Sequence, residues 1–260
     1  MRKTVCGLGL VLVFYGPAAA LPDCAGPVEL GQVRIMRVEP TNDVLVLHDG
    51  RAVHMEGIRF PHASQDRAPV FIEQQAFNAL DDMARHHLLV VTAVAPKEDR
   101  YDRVRGQVFS ADNPEPWLQL ALLKSGLVRV QIAPDRTECA AELYAAEAQA
   151  RALRLGLWAV PNYQLRSPDQ LAGDTGTFQI VEGEVLSADV HDGRGYLDFG
   201  PDWRTDFTVT IAPQDMENFR RAGIDPRDYQ GKRIRVRGIV QQLNGPEIEI
   251  ANPQQIEVVQ

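Results

Sequence analysis

The sequence is poor in cysteine. Of three, Cys6 falls in an apolar start, which leaves only Cys24 and Cys139. Two isolated cysteines exclude a disulfide-knotted miniprotein and a clustered thiolate metal site. Positive charge is also scarce, with 27 Lys and Arg against 35 Asp and Glu, and aromatic residues make up only 7%. That balance has the wrong sign for a protein that grips nucleic acid by neutralising many phosphates. After the first residues no apolar run approaches the roughly 20 needed to cross a bilayer as a helix. There is no low-complexity tract and no residue-level internal repeat. The chain is ordinary globular material, 45% hydrophobic and 24% charged, with length for one large or two small cores.

The start carries Arg2 and Lys3, an apolar stretch over 5–15, a break at Gly16-Pro17, and Ala18-Ala19-Ala20. This order predicts a signal peptide over 1–20, hence an exported protein, periplasmic or secreted, with no membrane anchor after cleavage. Removing Arg2 and Lys3 from the 27 basic residues leaves 25 against 35 acidic ones, a net charge of −10. In an oxidising compartment the remaining pair predicts a disulfide between Cys24 and Cys139. The basic run Lys232-Arg233-Ile234-Arg235-Val236-Arg237 alternates like a strand and reads as its solvated face.

Short apolar runs fill 31–47, and Asp49-Gly50 marks a hairpin between 44–47 and 52–55. Residues 69–86 follow helical spacing after a proline start. Strands are expected at 88–94 and 104–109 around a polar turn, and a helix at 117–127. A third helix is expected with Thr137 as its N-cap and Leu143, Ala146, Ala150, Leu153 and Leu157 on one face. Residues 161–177 carry Pro and Gly breaks and read as a linker. Beyond them, runs at 178–186, 195–199, 207–211, 233–240 and 246–250 predict a second small β-barrel, interrupted by a helical piece over 213–222. In Asp202-Trp203-Arg204-Thr205-Asp206-Phe207 an aromatic next to arginine suits base stacking, but Trp203 and Phe207 suit barrel core better.

Three stretches then stand out in order. They are Thr41-Asn42-Asp43-Val44 with Gly57-Ile58-Arg59-Phe60-Pro61-His62, Asp99-Arg100-Tyr101-Asp102-Arg103, and Glu147-Ala148-Gln149-Ala150-Arg151 running on to Gly156-Leu157-Trp158. Together they resemble the staphylococcal nuclease (thermonuclease) family over about residues 30–160. The resemblance implies an OB-fold barrel with three helices over 21–160; with the linker over 161–177 and the second, OB-like barrel over 178–260 read from the strand runs, the expectation is an α+β fold. It also implies calcium-dependent phosphodiester hydrolysis by two metal-binding aspartates, an arginine pair and a glutamate that activates water.

Position by position, Asp43 matches the first metal aspartate and Arg103 the second arginine. His54 stands where the first arginine is implied, Arg59 where the second metal aspartate is, and His62 where the glutamate is. Arg59 reverses the sign of a metal ligand. At about 4 Å and an effective dielectric of 20, two unit charges interact by roughly 4 kcal/mol, the whole free energy of a millimolar site. The expectation is a degenerate site that binds nucleic acid, another phosphorylated ligand or a protein partner. Asp43 is the candidate metal ligand, calcium is disfavoured, and zinc or another transition metal on a His54, His62 and Asp43 cluster is the alternative cofactor. One rival is an active nuclease with altered metal or a histidine base, and another is a purely structural interaction module.

Overall fold

The computed structural model describes residues 21–112, 116–202 and 204–259. The expected signal peptide over 1–20 and Trp203 lie outside the described residues. The chain is a mixed α+β protein.

Its first half contains β1 Val28–Val33, β2 Ile35–Glu39, β3 Val44–Leu47, β4 Ala52–Met55 and β5 Ile58–Arg59, then α1 Ala63–Asp66 and α2 Val70–Ala84. There follow β6 Leu89–Thr92, β7 Val104–Ser110, α3 Leu118–Lys124, β8 Arg129–Val130 and α4 Ala140–Ala152. Six strands form one sheet in the order β1-β6-β7-β4-β3-β2, in which β4 and β7 run parallel. Leu45, Leu47, Val53, Met55, Leu89, Val91, Val104 and Val108 turn inward to one core, as the two-residue period of a strand requires. On the opposite face of the same ladder Val44, His54 and Arg105 lie abreast. The helices close the core through residues such as Phe77, Leu80, Leu122 and Leu143. Burying each such side chain contributes about 1.5–3 kcal/mol. Gly57 has φ +85°, and a Cβ there would meet Leu143 Cδ1 at 2.4 Å, so only glycine lets α4 approach this turn.

Cys24 and Cys139 are joined by a disulfide. The bridge spans 115 residues of sequence, and closing so long a loop stabilises by roughly 2–4 kcal/mol. It also corrects the start of the third helix, because Cys139, with φ 60°, rather than Thr137, occupies the N-cap position of α4. Leu153 was expected on the buried face, but the helix ends at Ala152 and Leu153 is 70% exposed.

The second half contains β9 Phe178–Glu184, β10 Ser187–His191, β11 Arg194–Asp198, β12 Thr208–Ile211, α5 Met216–Arg221, β13 Arg233–Ile239, β14 Gln241–Leu243, β15 Gly245–Ile250 and β16 Ile256–Val258. They form a five-stranded sheet, β10-β11-β12-β15-β14, and a three-stranded one, β16-β13-β9. Val181, Leu197, Val209, Ile211, Val236, Ile248 and Ile250 share its core, and Phe207 is buried with them. Between the halves, 161–177 is not a bare linker. It carries two 3-10 turns, Pro161–Tyr163 and Pro168–Gln170, buries Tyr163 and Leu171, and exchanges backbone hydrogen bonds with β9 through Arg166.

The halves meet along a seam of ionic and aromatic groups. Arg237 on β13 was expected on a solvated face, yet it is 1% exposed. Its guanidinium donates to Glu147 Oε1 at 3.1 Å and Oε2 at 2.9 Å, to Glu257 at 2.5 Å and to the Val130 carbonyl at 3.0 Å, over the ring of Tyr144. Burial pulls its pKa down, but the charges of Glu147, Tyr144 and Glu257 and the hydrogen bonds to Glu147 together outweigh burial and hold the guanidinium above its ordinary value. A second buried arginine, Arg129, donates to Asp66 at 2.9 Å and to the Phe178 carbonyl at 2.7 Å, between the rings of Tyr163 and Phe178. Ile72, Leu157, Trp158, Phe178 and Ile180 pack beside them.

Candidate functional site

Asp43 sits at the entrance of β3, at the end of a 3-10 turn over Pro40–Asn42, with φ 54°. Asn and Asp tolerate this left-handed conformation better than other residues with a side chain, so the turn explains part of the Asn42-Asp43 pair. The side chain has a second use. His62 Nε2 lies 2.9 Å from Asp43 Oδ1 and 3.1 Å from Oδ2.

His62 is held by α2. Glu73 and Phe77 are four residues apart on one face of that helix, the spacing that aligns side chains. The Phe77 ring lies 5.9 Å from the imidazole, and Glu73 Oε1 lies 3.7 Å from His62 Nδ1. Glu73 also accepts a hydrogen bond from Ala63 N at 2.7 Å, and Asp66 accepts one from His62 N at 3.2 Å. Each imidazole nitrogen therefore faces a carboxylate. The hydrogen bond to Asp43, opposed by partial burial and helped by the charges of Asp43 and Glu73, raises the His62 pKa above 6.5.

This raised value fixes a pH dependence. The ion pair contributes stability that is fully present below the unfolded value near pH 6.5 and is lost as pH rises through the higher folded value. His62→Gln is therefore expected to lower the urea midpoint more at pH 6 than at pH 9. An equal loss at both values would remove the ion pair from the explanation.

Arg103 is anchored in the turn before β7 by Asp99. Asp99 Oδ1 accepts from the backbone N–H groups of Tyr101 and Arg103, and Asp99 Oδ2 accepts from Arg103 Nε at 2.6 Å. Burial would raise the Asp99 pKa, but these hydrogen bonds and the arginine charge prevail and hold it low. Arg103 Nη1 donates to the Asn42 carbonyl at 3.3 Å, next to Asp43, and Tyr101 stands exposed between Arg100 and Arg103.

Arg59 and His54 have partners other than Asp43. Arg59 Nη2 donates to Gln65 Oε1 at 3.0 Å and lies 3.7 Å from Asp66 Oδ1, with its guanidinium over the Phe178 ring. Its charge thus serves the seam between the halves rather than opposing a cation at Asp43. His54 Nδ1 lies 3.2 Å from Glu56 Oε1, and Glu56 also accepts from Arg105 Nε at 2.7 Å. Burial would push Glu56 up, but its hydrogen bonds with His54 and Arg105 leave it below the usual carboxylate range. Arg105 does not replace the arginine implied at position 54, because Glu56 and Asp135 occupy its guanidinium.

The donor set does not fit calcium, which takes six to eight oxygens. Asp43 keeps one of the two implied carboxylates, and both of its oxygens face the His62 imidazole. Among the described residues, the one group of three metal-type side chains within 4.8 Å is Cys24, Cys139 and Glu142, whose sulfurs are bonded to each other. Glu73, Glu56 and Arg105 were missed from the sequence. Period-two spacing puts Glu56 beside His54 and Arg105 beside Arg103, and helical spacing puts Glu73 beside Phe77, so the signals were local.

Residues 52–160 match the family model described as staphylococcal nuclease homologue. This domain is staphylococcal nuclease-like, and the match leaves out the residues before 52 and the second half of the chain. No curated protein matches the chain at a significant level. Among the described residues no helix is long and apolar enough to cross a membrane.

Proposed function

We propose that the protein is an exported, nuclease-like module that binds phosphodiester chains without calcium, and that its calcium-dependent hydrolysis is impaired. The observation that carries this reading is the contact of His62 Nε2 with both oxygens of Asp43. A protonated imidazole there is a built-in counter-ion, in the position where the resemblance implies a metal. Arg103, anchored by Asp99, keeps a second terminal nitrogen with no partner among the described residues and is the natural phosphate contact. Export is supported by the disulfide, which persists in oxidising compartments. We read 21–160 and 178–260 as two domains, with 161–177 as a packed connector.

Excess negative charge makes the binding weak and salt-sensitive. Fluorescence anisotropy with a labelled single-stranded DNA is expected to show micromolar or weaker binding at low salt, equal in calcium and in chelator. Arg103→Ala is expected to weaken it several-fold and to reduce the salt slope by about 0.7, the loss of one phosphate contact on a single strand. Binding that appears only with calcium, or none at low salt, would contradict the proposal.

A further inference from the structure

His54 differs from His62 in what its ring leaves open. Both nitrogens of His62 face carboxylates, Asp43 at 2.9 Å and Glu73 at 3.7 Å. His54 meets a carboxylate only at Nδ1, and Nε2 has no partner among the described residues. Its side chain is 32% exposed.

The orientation of this imidazole is fixed through a chain of groups. Asp135 accepts from Arg105 Nη1 at 2.6 Å and from Nη2 at 3.0 Å, and Arg105 donates to Glu56, which is 4% exposed. An ionised carboxylate can only accept, so the proton of a neutral His54 stays on Nδ1 and the lone pair on Nε2. Carboxylate-oriented imidazoles with a free outer nitrogen are the usual form of a general base. In the ladder His54 lies opposite Val44, the neighbour of Asp43, and Arg103 reaches the carbonyl of Asn42. Base, phosphate contact and imidazolium therefore share one end of β3.

Resting on the phosphodiester-binding reading above, we propose that this patch cleaves RNA without a metal, with His54 Nε2 as general base toward the ribose 2′-hydroxyl. A site without a metal lacks a metal-bound hydroxide, whereas RNA carries its own nucleophile next to the phosphorus, an advantage of proximity. His54 takes the 2′-hydroxyl proton as the O2′–P bond forms and the P–O5′ bond breaks. The proton returns through a solvent water to O5′. The products are a 2′,3′-cyclic phosphate and a 5′-hydroxyl, with no oxidant or other reactant consumed. Arg103 faces the charge that builds on the phosphoryl oxygens. Glu56 is a positioning residue, since it acts through His54.

The test uses the full mature chain in EDTA with 5′-labelled single-stranded RNA, and with DNA and 2′-O-methyl RNA of the same sequence. RNA is expected to give cyclic-phosphate ends at neutral pH, with the other two strands bound but uncut. His54→Gln is expected to slow cleavage about a hundredfold or more, the usual contribution of a general base, with unchanged binding of 2′-O-methyl RNA. Glu56→Gln is expected to slow cleavage and shift its pH profile, which a merely structural role would not do. Intact RNA alongside bound 2′-O-methyl RNA overturns this inference and leaves the binding reading standing. Failure of 2′-O-methyl RNA to bind the unmodified protein overturns both. Cleavage of equal rate in His54→Gln overturns the assignment of the base.

Discussion

Replacing Arg237 by alanine is expected to lower the unfolding free energy by about 3–5 kcal/mol, the usual cost of stripping one partner from a buried ion pair. Glu147 is fully buried on α4 and would be left with no cation against it except Arg151 at 3.3 Å. Glu257 and the Val130 carbonyl would lose their donor as well, and the Tyr144 ring its stacked guanidinium. The pair as a whole need not be stabilising, because removing two charges from water is costly. Arg237→Met combined with Glu147→Leu is therefore expected to recover much of the loss. Urea unfolding followed by circular dichroism measures both variants. A loss below about 1 kcal/mol in the alanine variant, the scale of an exposed pair, would mean that the halves part readily and Arg237 is wet in solution.

Calcium-dependent cleavage by the unmodified protein is expected to lie near background. Removing a single oxyanion donor typically costs about a hundredfold to a thousandfold, and here His54, Arg59 and His62 stand where the resemblance implies an arginine, a metal carboxylate and a water-activating glutamate. Their costs do not simply multiply, since metal and water act as a unit. The restoring set is Arg59→Asp, His62→Glu and His54→Arg. It meets an obstacle in the fold, because a carboxylate at position 59 loses the ring contact with Phe178 and adds a like charge beside Asp66. The combined variant is expected to regain some calcium-dependent release of acid-soluble DNA fragments, with a lower urea midpoint than the parent. Robust cleavage by the parent, lost in Asp43→Ala, would establish an active nuclease.

What the sequence made legible was local. The Asp49-Gly50 hairpin, the helix after Pro69 and the ordered nuclease motifs all rest on neighbours within a few residues. Arg237 was misread because alternation within 232–237 says only that the side chain leaves its own core. Its cover is Glu147, 90 residues away. Arg59 was read as a departure from the family pattern, but its direction depends on Asp66 and on Phe178 of the other half. At the site, Asp43 and His62 were named separately. Their contact across 19 residues became visible only once β3 and the turn before α1 were folded together.

Calorimetric titration of the mature protein with calcium at pH 6 bears most directly on the idea that the His62 imidazolium stands in for a metal beside Asp43. The expected result is no saturable heat through the millimolar range, in the unmodified protein and in Asp43→Ala alike. A saturable calcium site that disappears in Asp43→Ala would contradict it.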